Sequence, residues 1–119
     1  GALHRAGVTV AFGSDAPVTD PNPWPAIYSA VTRRTVSGAV IPGGDGQGPV
    51  DQRVPVRDAL RNYTGAGAPG YEGRGPGITT GDPADLVLLD ADPTRVDPEG
   101  LKNIRAVMTI LAGNVAWEA

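Results

Sequence analysis

Twenty-nine of the 119 residues are glycine or proline, about 24%, and they are bunched rather than spread. Low-complexity chains begin at roughly 25–30% of these residues, so much of this chain must be turn and loop. The two densest stretches, residues 37–53 and 65–83, carry no hydrophobic periodicity and read as long surface loops. Regular structure is thereby confined to short blocks on either side of them. Length still permits a core, since a folded chain of 12.2 kDa hides about two-thirds of its open-chain surface. It fits one domain or a piece of a larger one.

The first block opens with Ala2 to Ala6, which read as the last turn of a helix closed by Gly7. Val8 to Phe12 follow as a short β-branched and apolar run, suited to a strand buried on both faces. The order helix, glycine, strand and Gly-Ser-Asp turn places Asp15 at the carboxyl end of a parallel strand, where α/β proteins bind ligands. Asn22-Pro23 then offers a helix start, and Trp24, Ile27, Tyr28 and Val31 fall at helical spacing, which predicts a helix over about residues 23–35. Arg33 and Arg34 sit near its negative end.

Val56, Ala59, Leu60 and Tyr63 predict a second short helix. From about residue 78 the character changes. Ala84–Asp90 and Ile104–Leu111 read as strands, and Ala112-Gly113-Asn114 turns the chain into Val115–Trp117 as a hairpin.

Charge and composition exclude several roles. The net charge is −3 and no basic run exceeds Arg33-Arg34, so no field draws the chain to nucleic acid or an anionic membrane. Apolar runs fall far short of the ~20 residues that span a bilayer. Without cysteine there is neither a disulfide nor a thiolate metal site, and a cytoplasmic setting is the default. The chain does not begin with Met, which makes Gly1 an expected cut or processing boundary.

His4, the one histidine, lies upstream of Gly7 with the whole 8–12 run between it and Asp15, and is expected to be an exposed helix residue rather than a ligand. Ser14, His4 and an aspartate lack the spacing of a nucleophile elbow. The GGDGQG run at 43–48 has neither the ending nor the leading strand of a phosphate loop. Carboxylates remain. Asp85, Asp90 and Asp92 flank a strand as edge and turn residues, while Asp20 and Asp58 are placed at helix starts. Asp15 is either a working carboxylate or a side chain that caps backbone amides in its own turn. Local physics leaves the two open.

Four blocks in order, GVTVAFGSDAPVTDPNPWPAIYSAVTRR, VPVRDALRNYT, GITTGDPADLVLLDADP and the strand leading to Gly113-Asn114, resemble the carboxyl-terminal part of metal-dependent amidohydrolases. The nearest branch is amidohydrolase family 3, with its N-substituted formamide deformylase-like members. The resemblance implies an α/β plus β fragment: the last strand and following helices of a (β/α)8 TIM barrel at 1–64, a Gly/Pro-rich crossing loop at 65–77, and the carboxyl-terminal strands of a composite β-sandwich at 78–119. It implies a small-molecule amide substrate and a divalent metal, zinc in the intact enzyme. Asp15 maps onto the family's metal ligand and proton shuttle, the only catalytic residue carried over.

The family's histidine pair, lysine or acid, and later histidines have no counterpart here and would stand upstream of Gly1. The fragment alone is therefore expected to be inactive, to bind no metal and to self-associate through exposed apolar edges. GAGAPG at 65–70 departs from the family and should stop its helix early, while Asp82-Pro83 should alter only a turn. The rival reading is a non-catalytic α+β interaction or oligomerisation module of amidohydrolase descent.

Overall fold

The structure is a computed structural model that describes residues 1–44, 50–65 and 78–119. Most of the GGDGQG run and of the 65–77 crossing loop, including Ala66–Gly70, thus lies outside the described residues.

Helix α1, Ala2–Arg5, ends as its sequence requires. Gly7 takes a φ of +72°, its N–H bonds to His4 O at 3.0 Å, and Val8 N–H reaches back to Leu3 O at 3.0 Å. This paired closure satisfies the last carbonyls and needs a residue without a Cβ at its centre.

Helix α2 covers Trp24–Thr32, shorter at both ends than the predicted 23–35. Asn22 does act at the start, accepting the Trp24 N–H on Oδ1 at 3.1 Å. At the far end Arg33 swings into the left-handed region at φ +55°, which stops the helix. Its guanidinium then donates to Pro42 O, by Nη2 at 2.6 Å, while Ile41 N–H bonds to Arg33 O at 2.7 Å. An isolated antiparallel bridge joins Arg34 to Val40, so the start of the expected irregular 37–53 loop is a tight reversal held by Arg33.

Helix α3, Val56–Tyr63, is the predicted second helix, with Asp58 in its first turn where the dipole favours it. It stops at Tyr63, and Gly65 follows with a φ of +92°.

The β-rich tail forms a three-stranded antiparallel sheet in the order β1-β2-β3, with β1 Leu86–Leu89, β2 Ala106–Leu111 and β3 Asn114–Glu118. The β2–β3 turn has positive φ at both Ala112 (+49°) and Gly113 (+81°), the geometry that suits the twist of a two-residue hairpin. Ala112 is held there from outside: Asp85 Oδ1 accepts its N–H at 2.8 Å and Ala84 O accepts from Gly113 N at 3.0 Å.

The core is small. Among the described residues the buried hydrophobic side chains are Trp24, Ile27 and Tyr28 of α2, Val54, Ala59 of α3, and Leu101 and Ile104. Leu101 belongs to a 3-10 turn, Pro98–Asn103, that precedes β2 and packs on α2. The sheet meets the helices mainly through that turn.

A polar latch closes the joint. Tyr28, 1% exposed, donates its hydroxyl to Glu99 Oε1 at 2.8 Å, Lys102 Nζ bonds to Glu99 Oε2 at 2.9 Å, and the ammonium stands 5.0 Å from the Tyr28 ring centre. The sheet itself is left open. Val87, Thr109 and Trp117 line up across it, with Val107 and Leu111 on the same side of β2, and these four apolar side chains are exposed.

Lys102 and the Tyr28 hydroxyl hold the Glu99 carboxyl below its ordinary 4.5. A depressed folded-state value means that the latch stabilises fully above that ordinary pKa and is lost as pH falls through the folded one. Glu99→Gln should therefore flatten the acid limb of the thermal midpoint when it is followed from about pH 6 to about pH 3. An unchanged acid limb would count against the latch.

Candidate functional site

Residues 8–12 form no strand, which corrects the expectation of a strand buried on both faces. The β-branched run favours extended backbone, yet a ladder needs a neighbouring strand, and among the described residues none lies beside it. Open clefts of about 270 Å³ and about 390 Å³ flank the run. Val8 is consequently exposed, and Val10 and Phe12 are only half-buried.

The run is held by the last turn of α3. Asn62 is 7% exposed, and in the amide orientation that satisfies every partner its oxygen accepts from His4 Nε2 at 2.9 Å. Its nitrogen then donates to Val10 O at 3.0 Å and Asp58 O at 3.2 Å. Asn62 O accepts from Phe12 N at 2.9 Å. Tyr63 stands edge-on to Phe12, ring centres 5.6 Å apart, with its hydroxyl directed at Gly13 O across a long 3.5 Å. Partial burial pushes the Tyr63 phenol above 10, so at neutral pH it is a donor.

His4 is thus a half-buried partner of Asn62, with its proton on Nε2, and not the exposed helix residue expected. The signal that could have found the contact is Asn62 itself. It falls three residues after buried Ala59 on one face of α3, where a polar side chain must find partners.

Beyond Gly13 the chain enters the Asp15 turn. Asp15 takes a φ of +58°, a conformation that aspartate tolerates better than most residues but that still costs something. Ser14 Oγ accepts from Ala16 N at 3.3 Å, Thr19 Oγ1 donates to Ser14 O, and Asp15 O accepts from Val18 N at 2.9 Å. The Ala16–Pro17 peptide is cis. Asp20 does not start the helix; it folds the next turn by accepting Asn22 N–H at 2.8 Å.

The capping role that local chemistry allowed the Asp15 side chain is therefore filled by others. Six aspartates, Asp20, Asp51, Asp82, Asp85, Asp90 and Asp92, each accept a backbone N–H on the carboxylate. Asp58 pairs with Arg61 at 3.9 Å. Asp82 closes a turn with Thr79. Asp51 is driven lowest, to about 2, by hydrogen bonds from Arg53. Among the described aspartates, only Asp15 and Asp97 have carboxylates that neither accept a hydrogen bond nor join an ion pair. The Asp15 carboxylate is exposed and held out on a strained turn.

Ser14 and His4 are engaged in separate contacts, so the structure does not bring them into a nucleophilic pair. Among the described residues no group of three or more His, Asp or Glu could hold a metal ion. The donor set present does not fit a complete metal site, which takes about three protein ligands.

Removing the Asn62 amide while keeping its size tests the clamp. Asn62→Leu should cost on the order of 1–3 kcal/mol in urea unfolding, because the His4 N–H and the Val10 carbonyl lose their partner. A midpoint within error of the parent would remove Asn62 from this role.

The chain is 31% identical over 118 residues to the putative amidohydrolase YtcJ of Bacillus subtilis (strain 168), which covers 98% of this chain and 22% of that protein. It is 31% identical over 119 residues to the N-substituted formamide deformylase of Arthrobacter pascens, covering 98% of this chain and 21% of that one. The chain thus spans about a fifth of the length of either relative. No solved structure matches it. Residues 1–116 match the amidohydrolase family, and the chain belongs to that family as a segment of the kind found in much longer members.

Proposed function

We propose that this chain is the carboxyl-terminal segment of a metal-dependent amidohydrolase that cleaves a non-peptide carbon–nitrogen bond, in an N-substituted formamide or a related amide. The observation that carries the reading is the family match across residues 1–116, together with a formamide deformylase among the relatives. In this reading residues 1–64 supply the last barrel strand and following helices, 65–77 the crossing loop, and 78–119 part of the small β-sandwich. The clefts on both sides of residues 8–12 suit a strand whose neighbours come from the rest of a longer protein. The open face of Val87, Val107, Leu111 and Trp117 suits a sheet that packs on further strands.

Asp15 is the residue this segment brings to the chemistry. An exposed carboxylate with its lone pairs uncommitted can serve as an oxygen ligand to a divalent metal such as zinc, and it can take the proton of an attacking water. The remaining ligands would come from outside the segment. No hydrolytic step is assigned to the segment by itself, and we propose that alone it is inactive and binds no metal.

In the full-length protein, Asp15→Asn should lower turnover of N-butylformamide on the order of 10²–10⁴-fold. Turnover equal to the parent would end the assignment of Asp15. The second reading, a self-sufficient interaction or oligomerisation module, is favoured by one observation: α2, α3 and the 3-10 turn share a core within the segment. Sedimentation velocity separates the two. The enzyme-segment reading expects the isolated chain to associate through its open sheet and lack turnover, whereas a monodisperse, stable monomer would support a self-contained interaction module.

A further inference from the structure

The Asp15 turn has little to hold it from within. Its internal bonds fix the curve of residues 14–19, but none ties the turn to the helices. The nearest anchorage is one residue upstream of Ser14, where two consecutive residues of α3 grip the run that leads in. Asn62 holds it by its side-chain nitrogen on Val10 O and its carbonyl on Phe12 N. Tyr63 holds it by an aromatic edge on Phe12 and a hydroxyl facing Gly13 O. The contacts fall on residues 10, 12 and 13 in succession, and Asp15 is two residues further on.

We infer that Asn62 and Tyr63 are positioning residues for Asp15: the last turn of α3, rather than the turn that bears the aspartate, sets where its carboxylate stands. The inference rests on the proposed metal-site role of Asp15. The division of labour follows from stiffness. Asp15 sits at a φ of +58° that its side chain does nothing to secure, so the turn depends on a fixed entry point. Asn62 supplies the fixed point because it is buried and bonded on three sides, to His4, Val10 and Asp58. Tyr63 extends that grip to the last residue before the turn proper. A positioning error of about 1 Å in a reacting group can cost on the order of 100-fold in rate, so a modest loosening here would be visible.

Tyr63 is the better residue to vary, since Asn62 variants risk losing the fold. The full-length protein, loaded with cobalt(II) in place of its native metal, gives a visible absorption spectrum that reports ligand geometry without any turnover. Asp15→Asn and Tyr63→Leu are compared with the parent in that spectrum, in bound cobalt per chain, and in kcat and KM for N-butylformamide. The inference expects Tyr63→Leu to keep full cobalt stoichiometry, to shift the spectrum, and to lose about 10-fold in kcat with KM within about twofold. Tyr63→Phe, which keeps the ring against Phe12 but loses the hydroxyl facing Gly13 O, should recover part of that loss.

An Asp15→Asn spectrum identical to the parent would overturn the metal-site reading and this inference with it. If Asp15→Asn changes the spectrum while Tyr63→Leu leaves spectrum and kcat at parental values, the inference alone falls. It falls equally if Tyr63→Leu loses activity only in proportion to lost cobalt, since that marks a structural role.

Discussion

A buried amide that loses its partners costs on the order of 1–3 kcal/mol, and the helical part of this chain is arranged around one such amide. Asn62 has to satisfy three hydrogen-bonding positions away from water, and it finds them on α1, on the 8–12 run and within α3. Those three pieces would otherwise meet through few apolar contacts, because Ala59 is the only hydrophobic side chain of α3 that is fully buried. One polar side chain therefore does what a larger core would do by area. It also imposes direction, which apolar contact does not.

The second centre of organisation is α2. Its buried face, Trp24, Ile27 and Tyr28, packs toward α3 and Val54 and toward the 3-10 turn with Leu101. Helices and sheet thus share a single buried stripe. The Glu99 latch fixes the joint electrostatically, through polar groups of the tail and of α2. What stays open, the sheet face and the clefts beside residues 8–12, is apolar surface of the kind that larger assemblies cover.

Local features were readable directly from the residues. The 24/27/28/31 spacing marked α2, Gly7 marked the end of α1, and Ala112-Gly113-Asn114 marked the hairpin, because each is decided by neighbours a few residues away. The failures share the opposite property. A strand at 8–12 depends on other strands, and composition can only favour extended backbone there. The His4–Asn62 contact spans 58 positions and the Tyr28–Glu99 bond 71, so no window of sequence contains either. Family resemblance drew attention to Asp15, whereas the residues that grip its approach, Asn62 and Tyr63, read as an ordinary helix end. The left-handed Arg33 was hidden for a similar reason: its bond to Pro42 comes from beyond the helix it terminates.

Four of the six aspartates that accept backbone amides, Asp20, Asp82, Asp85 and Asp90, do so without an ion pair among the described residues, and they carry a further implication. Each works as a hydrogen-bond acceptor of short reach, a task that an asparagine oxygen performs with nearly the same geometry. Their negative charges are therefore not what the turns and strand ends require. A pI of about 4.9 then says little about how the chain folds. Its bearing is on colloidal behaviour, since a net charge away from zero keeps molecules with open apolar faces apart. A descendant could drift toward neutrality at those positions with its backbone intact, and would reveal the change first as a loss of solubility.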